Sequence, residues 1–137
     1  ILRDAAQVLR THGHRKFAFG KTGSPQCALG ALLTAVGARI GAASELVRWV
    51  DMDAQQYIGE RIVKAALAPA LGLQAEPYLG SSGTVYSLTC SLWCAAANWN
   101  NAPDQTAENV IAGLEYAALY AEQQAVQASV ATEGVPA

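Results

Sequence analysis

At 137 residues, 52% of them apolar and only 15% charged, the chain suits one domain with its own core and is too apolar for a disordered segment. A net charge of −2 argues against extended duplex DNA as a partner, and no apolar run is long enough to span a bilayer, so no membrane is expected either. Three cysteines are an odd count with no disulfide framework, which points to a reducing, cytoplasmic setting.

Alanine is abundant while Val, Ile and Phe are sparse, and alanine loses no side-chain entropy in a helix, so the bias favours helices over strands. Residues 1–12 read as a first amphipathic helix through Leu2, Ala5, Ala6 and Leu9, with Gly13 placed to end it in a left-handed conformation. Residues 15–20 alternate as a short strand or extended arm, and residues 21–24 signal a turn. Ser24-Pro25 is expected to open a second helix, serine as N-cap and proline at the first helical position, running to about Gly37. A short helix is expected from Ser44 to Val50. A longer one follows from Asp53, burying Ile58, Ile62, Ala66 and Leu67, with Pro69 kinking or ending it and Gly72 closing it.

Residues 73–86 form a long loop. A fifth helical segment, apolar nearly all round, is expected from Ser87 to Trp99. Thr106 caps the last helix, which turns Val110, Ile111, Leu114 and Ala118 inward and continues to about Ser129. The expected fold is mainly α, a compact single-domain bundle of five or six helices with at most one short β-hairpin or extended arm. Residues 1–128 form the domain and residues 129–137 a flexible tail.

The charge is lopsided. All nine Lys and Arg lie between Arg3 and Lys64 beside five acids, and six acids with no base follow. Such a layout marks either a basic face for an anionic partner or two elements attracting each other within the fold; the second, structural reading is preferred.

Three constellations carry candidate chemistry. Cys27 near a helix start, with His12 and His14 before it and the asparagines Asn98, Asn100 and Asn101 in a distant turn, has the residue types of a Cys-His-Asn nucleophilic site, in which Cys27 and His14 are the catalytic candidates. The plain alternative is a buried small side chain beside Gly30, which lets another element approach closely. Arg10, His12, His14, Arg15 and Lys16, interleaved with Phe17 and Phe19, suit a small anion such as a nucleotide, although cations at a helix C-terminus are also ordinary. Trp99, Asn100 and Asn101 concentrate polar groups beside an indole and either hold a ligand or, as favoured here, tie down a corner. Cys90 and Cys94 lie in surroundings that read as core, so no metal site is expected, and no cofactor motif, phosphate loop or common hydrolase signature is present.

Two stretches together carry a resemblance: Cys27-Ala28-Leu29-Gly30-Ala31-Leu32 after a basic, glycine-containing turn, and Trp99-Asn100-Asn101-Ala102-Pro103 followed by Thr106-Ala107-Glu108-Asn109-Val110-Ile111. The chain resembles a family of small proteins of unknown function from actinobacteria and their phages, over the span from the first helix to about Ala118. That family more often has Asp where Asn101 stands, an acid where Asn109 stands and an aromatic where His14 stands. The resemblance implies a compact helical fold in a bacterial or phage cytosol and attaches no activity.

The expected function is a non-enzymatic binding module for a small anionic ligand such as a nucleotide, or for a protein partner. It is expected to form a homo-oligomer through Tyr116, Leu119 and Tyr120 of the last helix. The rivals are a cysteine-dependent hydrolase or transferase using Cys27 and a purely structural oligomerising protein.

Overall fold

Leu2, Ala5, Ala6 and Leu9 share one face, and burying that face forms α1 (Leu2–His12). The computed structural model describes residues 1–37, 49–81, 83–85 and 89–133. Within them the chain is mainly helical, and its β structure is confined to isolated bridges. Gly13 ends α1 with a positive φ of 97° but an extended ψ of 171°, so the chain leaves straight into the arm instead of turning through a left-handed helical cap. Its N–H still returns to the Leu9 carbonyl.

The second helix starts later than serine and proline predict. α2 (Ala28–Ala35) takes Cys27 as its N-cap, and the residues before it are spent on pairing with the arm. Gln26 N–H donates to the Gly13 carbonyl and Arg15 N–H to the Gln26 carbonyl, a parallel bridge, while Ser24 N–H closes a turn onto the Lys21 carbonyl. A backbone committed to a neighbouring segment cannot also begin a helix, so the tertiary pairing overrides the cap signal.

The expected helix from Ser44 to Val50 lies mostly outside the described residues; Trp49 and Val50 already belong to α3 (Trp49–Ile62), which therefore begins before Asp53. A π-helical turn (Val63–Leu67) and α4 (Ala68–Leu71) continue the same rod. The widened turn accommodates Pro69: Ala68 N–H reaches back five residues to the Val63 carbonyl, which loosens the spiral where the proline has no N–H to give. Gly72 closes the rod in the left-handed conformation at φ 68°. Ala66 and Leu67 are buried as expected and Ile62 is partly so, but Ile58 is 41% exposed and is not a core residue.

Between the rod and α5 (Leu92–Asn101) the chain makes two antiparallel bridges, Glu76 with Ser91 and Leu79 with Val85. Ser91, not Ser87, precedes α5, its hydroxyl accepting from Cys94 N–H at 3.0 Å. Ser87 lies outside the described residues. Thr106 caps α6 (Ala107–Glu133) through Asn109 N–H, and Val110, Leu114, Ala117 and Ala118 enter the core. The helix runs to Glu133, past the expected end near Ser129.

α1 packs on α2 and α6, and the core closes against the rod and α5. Arg3 pairs with Glu122 and Arg10 with Glu115, each joining α1 to α6. Part of the lopsided charge therefore acts inside the fold, as attraction between the first and last helices. Both pairs are largely exposed and set the alignment of two helices more than their stability.

Candidate functional site

The asparagines at the end of α5 organise the arm. Asn100 is fully buried and uses its whole amide. Its Oδ1 accepts from Ala28 N–H and lies 2.8 Å from His14 Nε2, and its Nδ2 donates to the Arg15 carbonyl and to Asn101 Oδ1. Because Ala28 N–H can only donate, Oδ1 is the acceptor there, and His14 must carry its proton on Nε2. Asn101 Oδ1 accepts from Phe17 N–H at 2.8 Å as well. Lys16 Nζ donates to the Ala102 carbonyl at 2.6 Å. One turn thus holds residues 14–17 and the start of α2 together.

Gly30 permits the other half of the arrangement. A Cβ built there would lie 2.0 Å from the Phe19 carbonyl oxygen, so only glycine lets the arm cross the first turn of α2, where Cys27 N–H donates to that same carbonyl. Trp99 anchors the corner from the far side, its ring over Gly113, where a Cβ would be 2.6 Å away.

Between arm, α2 and α5 lies a cavity of about 450 Å³, within the size range of small-molecule sites. Phe17 and Phe19 form its arm side, Cys27 the α2 side, and Trp93, Cys94 and Asn101 the α5 side, with the Phe19 and Trp93 rings edge to face at 6.4 Å. Among the described residues no Asp, Glu, His, Lys or Arg stands in this wall.

Cys27, His14 and an asparagine do meet at one corner, but not as a proton-transfer chain. The Cys27 sulfur accepts from Gly30 N–H at 3.3 Å, while the His14 ring is bonded to Asn100. Burial pushes the Cys27 thiol up to about 11, against the smaller lowering by the N–H groups at the helix start and by the Arg15 charge. At neutral pH only about one thiol in ten thousand is then ionised. A raised thiol pKa has a second consequence. The folded state keeps a proton that the unfolded chain releases near its ordinary value of 9.0, so stability is full below pH 9 and falls as pH rises towards 11, by about 2–3 kcal/mol. Denaturation at pH 8 and 10.5 should show a slope that Cys27→Ser lacks, and a thiol reagent at pH 7 should label exposed Cys90 long before Cys27.

The basic set disperses. Arg10 is paired with Glu115, Lys16 is tied to the α5–α6 turn, and His12 is exposed at the end of α1. Arg15 gives its backbone to the arm and is the cation acting on Cys27. The pocket aromatics Phe19 and Trp93 belong to a pattern legible in hindsight: Phe17 and Phe19 alternate along an extended arm, and Trp93, Ala97 and Asn101 recur every four residues on α5, a small residue between two large ones leaving space.

No curated protein and no solved structure matches the chain. Residues 1–119, which take in the arm, the cavity and the asparagine turn, match a family of unknown function, DUF6197, and the chain belongs to that family.

Proposed function

We propose that the chain is a non-enzymatic binding module whose ligand occupies the cavity between the arm, α2 and α5. The observation carrying this reading is the wall itself: mostly apolar and aromatic, open to solvent, with the Asn101 amide, the Tyr78 phenol and the Cys27 and Cys94 thiols as its polar groups, Cys27 held protonated by its burial. Such a wall recognises and desolvates a small molecule but has no poised nucleophile and base. The anionic ligand anticipated from the basic arm loses support, because Arg10 and Lys16 already have partners.

The test is a fragment titration followed by backbone and side-chain amide NMR. Binding in the cavity should move the Phe19 amide, the Trp93 indole N–H and the Asn101 side-chain amide together, and Cys94→Trp, which places a ring in the space, should abolish those shifts. Fragments that move only residues elsewhere would sink the reading.

We also propose a protein partner on the exposed face of α6, and it is a second copy. Tyr116, Leu119, Gln123, Val126 and Val130 follow a three-four repeat along the exposed face of α6, with the glutamine as the one polar member. Glu115 and Glu122 beside this seam are already neutralised by Arg10 and Arg3, so two copies approach without repulsion. Light scattering should report a dimer that Val126→Glu converts to monomer; an unchanged mass in both proteins removes the claim.

A further inference from the structure

From the unpaired donors of Asn101 we infer that the cavity selects neutral, flat aromatic molecules that present a carbonyl-type hydrogen-bond acceptor, and that Asn101 Nδ2 is the group reading it. This inference rests on the cavity being the binding site and adds the chemistry of what enters it.

Asn101 is only 8% exposed and lines the cavity. Its Oδ1 accepts from Phe17 N–H at 2.8 Å and from Asn100 Nδ2 at 2.9 Å. Both partners donate, so the amide cannot be flipped: turning it would set an NH2 group against two other donors. Its Nδ2 is therefore fixed on the remaining side, and among the described residues it has no hydrogen-bond partner. Asn101 lines the cavity with its small remaining exposed surface, so a ligand oxygen or ring nitrogen entering there can take the place of water at this donor.

The rest of the wall sets the remainder of the ligand. Phe17, Phe19 and Trp93 offer ring faces and edges to a planar aromatic body. A charged ligand finds no counter-charge in the wall and loses its hydration on entry, which excludes phosphates and carboxylates from the interior. A molecule presenting only donors gains nothing from Nδ2, itself a donor.

Three probes of similar ring size separate these features: coumarin, with a lactone carbonyl; naphthalene, with no acceptor; and 2-naphthoate, an anion. In the unmodified protein coumarin should bind about five- to tenfold more tightly than naphthalene, the worth of one neutral hydrogen bond, and 2-naphthoate more weakly than either. The Asn101 side-chain amide, assigned as the pair of signals missing in Asn101→Asp, should shift with coumarin and not with naphthalene. Asn101→Asp keeps the oxygen that accepts from Phe17 and Asn100 and replaces Nδ2 by an acceptor. At pH 8 it should lose the coumarin preference and favour indole, whose N–H donates.

Equal affinity for coumarin and naphthalene in the unmodified protein overturns the acceptor selectivity while leaving the cavity as a binding site. Tighter binding of 2-naphthoate overturns the neutral class. If no probe moves the cavity signals at all, the binding reading falls with it. The comparison of probes in the unmodified protein needs no variant, so a poorly folded Asn101→Asp does not blunt it.

Discussion

Asn100→Ala lowers the free energy of unfolding by about 3–5 kcal/mol, because it strands several buried polar groups at once. The side chain is completely buried and joins three segments far apart in sequence: Ala28 N–H at the start of α2, His14 and the Arg15 carbonyl on the arm, and Asn101 within its own turn. Truncation leaves the Ala28 N–H and the Arg15 carbonyl without that partner in a space that alanine does not fill. Each stranded group costs about 1–3 kcal/mol, more than the roughly 1 kcal/mol that a made hydrogen bond returns. Asn100→Asp is not a rescue. It keeps the acceptor for Ala28 and His14 but sets a carboxylate oxygen against Asn101 Oδ1 and the Arg15 carbonyl. Urea denaturation monitored by circular dichroism gives both numbers. His14→Ala, which removes one partner and leaves Asn100 Oδ1 satisfied by Ala28, should cost only about 1 kcal/mol. If Asn100→Ala costs no more than His14→Ala, the asparagine does not organise this corner.

Gly30→Ala is the second large effect, and local and tertiary reasoning predict opposite signs for it. Alanine is worth about 1 kcal/mol over glycine inside a helix, so propensity alone predicts a gain. The structure predicts a loss of about 2–3 kcal/mol, in the range of overpacking a tight interior. The new methyl group would sit 2.0 Å from the Phe19 carbonyl oxygen and 2.9 Å from the Phe19 Cα. Backbone cannot rotate out of the way as a side-chain end can. The arm must lift off α2, which breaks the Cys27 N–H to Phe19 carbonyl bond and carries Phe17 and Phe19 away from the cavity. Gly59→Ala is the internal control. There the nearest atoms, 3.3 Å away, are side-chain ends of Leu33 and Trp93, so the same exchange should stay within about 1 kcal/mol of neutral. Thermal and urea unfolding of the two variants measure the contrast. A stabilised Gly30→Ala would mean that the arm does not cross α2 where it is placed here.

Local pattern accounts for much of the helical layout. The spacing of Leu2, Ala5, Ala6 and Leu9 marks α1 because the repeat lies within the helix itself, while Gly72 marks the end of the rod and Thr106 the start of α6 because each cap is satisfied within a few residues. Signals also failed where a distant segment competed for the same backbone. Ser24 and Pro25 have the chemistry of a helix start, yet the next residue is hydrogen-bonded to the arm, and Cys27 takes the cap instead. Ile58 fits the apolar spacing of its helix but faces out, because the stripe the rod buries runs one position further on, through Gly59, Val63 and Leu67.

At the corner, the functional groups of Cys27, His14, Asn100 and Asn101 make them candidates for chemistry from the sequence alone. What each group does was decided only by its partners. A helical chain with a basic first half, an acidic second half and an amide-rich turn before its last helix follows from side-chain type and short-range spacing. The tertiary structure alone decided that Arg10 is spent on Glu115, that Cys27 is buried and protonated, and that Phe19, Trp93 and Asn101 enclose one cavity. Those outcomes depend on contacts between residues more than 70 positions apart, and hydrogen-bond satisfaction and desolvation are properties of such contacts, not of residue type.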